Sequence, residues 1–248
     1  QQQQQQQALK PAPAVQTPAG GPTRKEVPLT GSSVDLQCEQ ERRNVVAFLH
    51  DAGHRLQIPQ QTIACATVFF HRFYCRHRYE DLDVYIVSAT CLFLSSKTQE
   101  TPRKLKEVMA VTHEMLYRQP LVEPSEEFNA LRFRMLECER LVMLALGYDF
   151  NVELPFSHLL ALAKAVRVHV STAQVAWSFA FDSHRTTLCL RYPARTIAAA
   201  SLYAAILYLQ VRIPSIANGA SWWSLIDLQE ATLQDIAMEM LELYQDQE

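Results

Sequence analysis

One helix limits the folds open to this chain more than any other segment. From Asp83 to Lys97 the sequence is almost wholly apolar and ends on a single lysine. A helix that is apolar on every face has no side for water, so we expect it at the centre of a helical bundle. Lys97 is then the first group of this helix to reach the surface, where it can meet a partner.

Segments on both sides of this helix also have helical patterns. The clearest is the fifth, in which apolar residues recur at spacings of three and four and form one stripe: Phe128, Leu131, Met135, Cys138, Val142 and Ala145. Glu139 lies at the margin of this stripe, and Gly147 fits a left-handed helix cap. The earlier helices are predicted at residues 39–57 and 60–76, and from the N-cap Thr101 and the first-turn proline Pro102 to about Tyr117.

The second half of the chain has a similar series of helices. It begins at Leu154-Pro155, continues with a capping box of Ser171 and Gln174 that opens a helix to about Cys189, and closes with a helix opened by Thr232 and Asp235. A second apolar helix is predicted from Thr196 to Leu209, and the pair Trp222-Trp223 is expected to be a packed cap.

The two halves look like copies of one unit. VSATCLFLSS at residues 87–96 and IAAASLYAAI at 197–206 match in character at an offset of 110 residues. We therefore predict an all-α protein made of two five-helix bundles, at residues 36–150 and 151–248, behind a disordered glutamine- and proline-rich arm at residues 1–35. Lys97 aligns with Leu207, so only the first bundle carries the lysine.

Composition narrows the function classes. The net charge of −3 and the pI of about 6.3 give no global attraction to nucleic acid. Six cysteines without a Cys-x-x-Cys pair predict free buried thiols. The apolar run Ile197–Leu209 has 13 residues, whereas a membrane span needs about 20. Because the sequence begins with glutamine rather than methionine, we expect a fragment, and whether a C-terminal tail follows Glu248 is left open.

No enzyme motif or cofactor motif is present in the sequence. There is no Gly-rich phosphate loop, no Gly-x-Ser-x-Gly and no His-Glu-x-x-His. His71, Cys75 and His77 could be metal ligands, but only the first two share a helix face and no second pair completes a tetrahedral site. We therefore predict neither a metal nor a cofactor, and a short basic run at residues 103–106 is expected to be a solvated face.

Two interpretations of Lys97 and Glu139 remain open from the pattern. They could be surface residues that pair with each other at about 0–1 kcal/mol. Alternatively, both project from rigid helices of one bundle and anchor a partner, because helices hold geometry better than loops do.

Several motifs, in order along the chain, carry a family resemblance. They are HRFY (71–74), CLFLSSKTQETPRKLKEV (91–108), LECERLVMLALGYDF (136–150), TTLCLRY (186–192), the WW pair and MLELY (240–244). From about Val34 to Tyr244 the chain resembles a two-box cyclin, closest to the K and T types that serve transcription kinases. In that family the docking patch of cell-cycle members begins Met-Arg-Ala-Ile-Leu, whereas residues 41–45 here are ERRNV, which argues against a cell-cycle cyclin.

The resemblance implies a function and a set of binding residues. In cyclins a lysine of the third helix and a glutamate of the fifth bind the kinase around its mobile C-helix, and these align with Lys97 and Glu139. Glu100 and Tyr148 match further contact positions. The resemblance thus implies a noncatalytic nuclear subunit that activates a cyclin-dependent kinase, with the RNA polymerase II tail as substrate of the complex, and that binds neither nucleic acid nor membrane directly. A tandem cyclin-fold factor that contacts promoter DNA without a kinase is the alternative.

Overall fold

The computed structural model describes residues 33–211 and 221–245. Within these ranges the chain forms ten α-helices, short 3-10 helices at Ser183–Arg185 and Trp222–Ile226, and no strand. The α-helices are α1 (Ser33–Arg55), α2 (Gln60–Tyr74), α3 (Val84–Thr98), α4 (Leu105–Tyr117), α5 (Glu126–Leu146), α6 (Pro155–Val166), α7 (Val170–Asp182), α8 (Leu188–Arg191), α9 (Ala194–Tyr208) and α10 (Glu230–Gln245).

This helix order confirms the predicted fold class of two successive bundles. The disordered arm predicted at residues 1–35 lies outside the described residues as far as residue 32, and α1 already begins at Ser33. None of the helices described is both long and apolar enough to cross a membrane.

The apolar helix α3 lies at the centre of the first bundle, as its sequence predicts. It packs against α1, α2, α4 and α5. Asp83 starts it by accepting hydrogen bonds from the backbone N–H groups of Tyr85 (3.0 Å) and Ile86 (3.4 Å). The hydroxyl groups of its buried serines donate hydrogen bonds to backbone carbonyls of the same helix. Ser95 Oγ, for example, donates to the Leu92 carbonyl at 3.0 Å. These serine side chains therefore let neighbouring helices approach while each hydroxyl keeps a backbone acceptor, whereas Thr90 Oγ1 on the same helix is buried without a partner among the described residues.

Helix α9 has the same place in the second bundle. It packs against α6, α7 and α10, and its residues from Ile197 to Ala205 are buried. A four-residue helix, α8, precedes it, so α9 is the fourth α-helix of its bundle, whereas α3 is the third of the first bundle. Trp222 is buried and Trp223 packs against the core with its ring 5.9 Å from that of Tyr203, as the packed-cap prediction requires.

Three predicted helix starts are wrong. The last helix, α10, begins at Glu230, two residues before the predicted Thr232. The other two have a visible cause. Thr101 and Pro102 precede α4 without opening it; Lys104 is its N-cap, and Thr101 Oγ1 lies 3.1 Å from Thr62 Oγ1 on another helix. Ser171 lies inside the first turn of α7, whose N-cap is His169. In both places a tertiary or neighbouring side-chain contact takes the place of the expected local cap. Helix α7 also ends at Asp182, short of the predicted Cys189, where the chain turns into a 3-10 helix.

The segment between α3 and α4 closes the end of α1. Arg103 donates from Nε to the Leu56 carbonyl (2.8 Å) and from Nη2 to the Gln57 carbonyl (2.7 Å). These carbonyls lie just past the last turn of α1, where they have no intrahelical donor. The side chain of Arg103 therefore caps the end of α1, although it lies in a different part of the sequence. The prediction that residues 103–106 form a solvated face is wrong for Arg103.

The two bundles meet along a surface that we call the seam, formed by α1 and α2 on one side and by α7, the 3-10 helix Ser183–Arg185 and α8 on the other. Trp177 Nε1 donates to Gln60 Oε1 at 2.9 Å, and His71 Nε2 donates to the His184 carbonyl at 2.9 Å. The ring of His50 stacks on Phe181 with 4.6 Å between centroids. Specific polar and aromatic contacts therefore fix the first bundle against the second.

Candidate functional site

The last turn of α3 presents Lys97 to solvent. Its side chain is 42% exposed, and its ammonium group forms an ion pair with the Glu139 carboxylate. The same ammonium lies 4.3 Å from the ring centroid of Phe93, one turn earlier on α3. A cation held between a carboxylate and an aromatic face keeps a defined direction, which a free lysine on a four-carbon chain does not.

Glu139 is the less accessible partner of this pair. It projects from α5, its side chain is only 10% exposed, and α5 packs against α3. Glu139 therefore orients Lys97, while the exposed part of the ammonium remains available to a second acceptor. Lys97 and Glu139 therefore pair with each other in the free chain, as the first of the two open interpretations states. The second interpretation, in which the two residues anchor a partner, is compatible with the same geometry.

Glu100 and Tyr148 lie just past the ends of the same two helices. Both are exposed and have left-handed backbones, with φ of 54° and 57°. After α3 the Thr101 N–H bonds the Ser96 carbonyl at 2.9 Å, and after α5 the Tyr148 N–H bonds the Met143 carbonyl at 3.0 Å. Both turns are closed by helix-terminal hydrogen bonds, which fix the backbone from which each side chain projects.

Three of the four predicted binding residues lie near one another, and Tyr148 lies apart from them. Glu100 follows Lys97 by three residues, so Lys97, Glu139 and Glu100 lie around the end of α3. Tyr148 is nine residues beyond Glu139, which is about 13 Å along a helix at 1.5 Å per residue. The sequence analysis did not identify Phe93 as part of the site. Its spacing of four residues from Lys97 is the signal that could have indicated a contact between the two side chains on one helix face.

Exposed apolar side chains on α5 extend this surface. Leu136, one turn before Glu139, is exposed, and so is Phe133 three residues earlier. The inner stripe of α5, with Met135, Cys138 and Val142 buried, confirms the periodicity seen in the sequence. Helix α5 thus has an apolar inner face, a charged margin at Glu139 and further apolar groups facing outward.

The histidines and cysteine considered as metal ligands have other roles. His71 is buried and its Nε2 is committed to the His184 carbonyl, while burial lowers its pKa to about 4. His77 stacks on Phe73 at 4.4 Å, and Cys75 is exposed at the end of α2. Across the described ranges, no three His, Cys, Asp or Glu side chains come together as a ligand set.

Taken together, the fold and the surface define a tandem helical-bundle protein whose first bundle presents an ordered charged pair. Residues 23–151 match the family model of the cyclin N-terminal domain, and residues 154–243 match the cyclin-T2-like C-terminal domain. The chain belongs to the cyclin family, and the boundary between the two matches falls in the segment that joins α5 to α6.

Relatives of known sequence are similar over nearly the whole chain. Cyclin-T1-4 of Arabidopsis thaliana is 36% identical over 233 residues, which cover 90% of this chain and 43% of the relative. Cyclin-T1-3 of Oryza sativa subsp. japonica is 35% identical over 234 residues, covering 90% and 48%. The chain therefore spans less than half the length of these relatives.

Solved structures share the fold at low sequence identity. A chain of the yeast RNA Pol II CTD kinase CTDK-1 complex superimposes with a TM-score of 0.71 at 21% identity, covering 85% of this chain and 67% of that one. A chain of the yeast TFIIK complex gives a TM-score of 0.56 at 16% identity, covering 84% and 88%. These likenesses extend over both bundles and establish the arrangement as that of a tandem cyclin fold.

Proposed function

We propose that this chain is the regulatory subunit of a transcription-associated cyclin-dependent kinase and contributes no catalytic group of its own. The complex phosphorylates the C-terminal domain of RNA polymerase II in the nucleus and promotes transcription elongation. Membership of the cyclin family supports this function, as do relatives named as T-type cyclins. Among the structures that share the fold, one is from a complex named as a polymerase CTD kinase.

The observation that carries the proposal is the Lys97–Glu139 pair. Its carboxylate is almost buried and its ammonium is partly exposed, so a partner that supplies an acceptor meets a lysine already oriented by Glu139 and Phe93. Leu136 and Phe133 add exposed apolar area on the adjoining helix. We propose that Lys97, Glu139 and Glu100 form the polar centre of the kinase-binding surface and that Tyr148 contacts the kinase beyond the end of α5.

Activation then follows from selective binding. A protein kinase needs the lysine of its third strand paired with the glutamate of its C-helix before ATP is held correctly. A rigid surface that binds only the inward position of the C-helix shifts its population. A change from 1:99 to 99:1 requires about 5.5 kcal/mol of differential binding. A few hydrogen bonds to charged groups, at about 1.5–3 kcal/mol each, together with apolar contact are sufficient.

Reconstitution with purified kinases tests this function. The chain is mixed with each of several transcription kinases, and phosphate transfer to a polymerase-tail peptide is measured. We expect stimulation by one of them, and a loss of at least about tenfold in the affinity of that complex for Lys97→Ala and for Glu139→Ala, because each removes a charged contact. The proposed anchors are wrong if the double variant activates the kinase as the wild type does.

A matched control is available in the second bundle. Arg191 on α8 and Glu239 on α10 form an ion pair whose cation is about as exposed as Lys97, at 37%, and whose carboxylate is 31% exposed. The double variant Arg191→Ala, Glu239→Ala loses the same types of charge, and we expect it to activate the kinase as the wild type does. Urea unfolding of each variant separates a loss of binding from a loss of stability.

The alternative function, a cyclin-fold factor that binds DNA without a kinase, makes a different prediction. It requires binding to duplex DNA whose affinity falls steeply with salt concentration. The net charge of −3 does not favour it. Measurable duplex binding without stimulation of any kinase would replace the proposed function by this one.

A further inference from the structure

A small cleft lies between the two bundles, beside the segment that joins α5 to α6. Its walls come from α2, from this segment, from the 3-10 helix Ser183–Arg185, and from the residues of α8 and α9. Its volume is about 30 Å³. A water molecule needs roughly 10–15 Å³, so the cleft has room for about two groups of that size. Because both bundles contribute to its walls, the cleft forms only when they pack together.

His184 lines this cleft and has an acceptor without a donor. It is 1% exposed, and its Nδ1 lies 3.0 Å from the Ala180 carbonyl and 3.2 Å from the Phe181 carbonyl. Since a carbonyl only accepts, Nδ1 carries the proton, and burial keeps the ring neutral at pH 7 by lowering its pKa to about 4. Nε2 is then an acceptor, and it has no hydrogen-bond partner within the described residues. A buried acceptor without a donor costs stability that a ligand with an N–H group can recover.

Two other residues in the walls supply donors. Arg72 on α2 donates from Nη1 to the Asn151 carbonyl at 3.3 Å, which leaves Nε and Nη2 without an acceptor among the residues described. Tyr192, just after α8, has its ring 5.6 Å from the Arg191 guanidinium, and its hydroxyl has no hydrogen-bond partner in the described ranges. The cleft therefore combines an unused acceptor with unused donors.

The charges at the cleft nearly cancel. Among the lining residues Arg72 is the only cation and Glu153 the only anion, and Glu153 Oε1 also lies 2.7 Å from His158 Nε2. An anionic ligand meets Glu153 and the lone pair of His184 Nε2, neither of which can donate to it. A cationic ligand meets Arg72. The apolar part of the walls includes Val68, Val152, Pro155 and Ile197. A neutral polar group on an apolar stem matches such walls.

We propose that this cleft binds a primary carboxamide, the side-chain group of glutamine or asparagine, presented by a partner polypeptide. The NH₂ group donates to His184 Nε2, and the carboxamide oxygen accepts from Arg72 and from the Tyr192 hydroxyl. These two atoms take the space of about two water molecules, while the CH₂ stem lies against the apolar walls. A serine hydroxyl fills only one of the two positions, and a carboxylate has no N–H for His184. The site uses none of the residues of the proposed kinase-binding surface.

Side-chain NMR of the full chain labelled with ¹⁵N-histidine tests the site, because the Nε2 signal of a neutral imidazole moves when Nε2 gains a donor. The probe is the capped peptide Ala-Gly-Gln-Gly-Ala, and the control peptides carry methionine, glutamate or serine in place of glutamine. We expect the glutamine peptide to move the His184 Nε2 signal to saturation and the three control peptides to leave it in place. A fifth peptide with asparagine establishes which stem length fits.

Three variants connect this signal to the proposed donors. Arg72→Gln removes a charged hydrogen bond, so we expect it to weaken peptide binding at least about tenfold. Tyr192→Phe keeps the ring and removes the hydroxyl, and it weakens binding about twofold to tenfold. Arg132→Gln removes an exposed arginine of α5 that is not among the lining residues, and it keeps the wild-type affinity. Melting temperatures establish that each variant is folded.

Every outcome bears on the proposal. Binding of the asparagine peptide in place of the glutamine peptide supports the site and assigns the shorter side chain to it. A glutamate or serine peptide that moves the signal as far as the glutamine peptide overturns the proposal, because the cleft then recognises an anion or a hydroxyl. The proposal also fails if no peptide moves the signal, so that the cleft holds only water, or if Arg72→Gln and Tyr192→Phe both keep the wild-type affinity.

Discussion

Three histidines, His50, His71 and His184, are buried where the two bundles meet. Burial lowers the pKa of His50 to about 3 and those of His71 and His184 to about 4, from an ordinary value of 6.5. Positive charge from Arg185 and from neighbouring histidines lowers that of His50 further. All three are therefore neutral in the folded protein at pH 5 and above. Acidification from pH 7 to pH 5 adds protons to these side chains mainly in the unfolded chain.

The sign follows from proton binding. Between pH 6.5 and pH 4 the unfolded chain protonates these side chains and the folded chain does not. Acid therefore favours unfolding, and the stability that the neutral histidines allow at pH 7 is lost as the pH falls below 6.5. Most carboxylates titrate lower, so the interval from pH 7 to pH 5 reports mainly on histidine.

The magnitude follows from the same pKa values. Each histidine contributes about 2 kcal/mol to the loss between pH 7 and pH 5, and the three together contribute about 6 kcal/mol. Near pH 5.5 the unfolded chain holds almost three more protons than the folded one at these positions. The loss is comparable with the entire stability of a typical domain, about 5–15 kcal/mol.

Urea unfolding at a series of pH values measures this effect. The chain has three tryptophans, and Trp177 lies at the seam, so fluorescence follows the loss of contact between the bundles. We expect the free energy of unfolding to fall by several kcal/mol from pH 7 to pH 5. His50→Gln removes one titrating group, and its fall between these pH values is smaller by about 2 kcal/mol, whatever its stability at pH 7.

Two results would refute this reasoning. A free energy of unfolding that stays level between pH 7 and pH 5 means that the folded protein protonates the seam histidines without cost. An unchanged pH dependence in His50→Gln means that other groups cause the effect.

Three further substitutions test the packing and capping of the first bundle by urea unfolding at pH 7. Gly53→Ala places a Cβ 2.6 Å from Ile63 Cγ1 in a fully buried site, and we expect a loss of about 1–3 kcal/mol; an unchanged midpoint shows that α2 shifts freely. Arg103→Ala leaves the two carbonyls at the end of α1 without donors and costs about 1–3 kcal/mol, and Arg103→Lys recovers less than half because it lacks the fork. Ser125→Ala removes the acceptor for the Phe128 N–H at the start of α5 and costs about 1 kcal/mol, whereas Ser125→Asp retains the wild-type stability.

Features set by a short stretch of sequence were predictable. The inner stripe of α5 and its glycine cap follow from residue spacing, and Gly147 has the expected left-handed backbone, with φ of 66°. The central position of α3 follows from its lack of a polar face. Placement of Lys97 and Glu139 on adjoining helices follows from the same patterns, although their direct contact was only one of two open interpretations.

Features that depend on distant residues were not predictable in this way. The sequence pattern at Thr101 is a good N-cap signal, yet Thr101 hydrogen-bonds Thr62 and the helix starts later. The side chain of Arg103 reaches carbonyls 46 and 47 residues away in the chain, which no local periodicity records. Burial of charge-capable groups at the seam likewise arises only when the bundles come together.

The hydrogen bond between His71 and the His184 carbonyl joins residues 113 positions apart. During synthesis, at about 5–20 residues per second, His71 is made about 6–23 seconds before its acceptor exists. Throughout that interval the seam surface of α1 and α2, which includes the buried His50 and His71, has no second bundle to cover it. The newly made first bundle is therefore an incomplete folding unit, and its seam is the part of the nascent chain that a chaperone has most reason to bind.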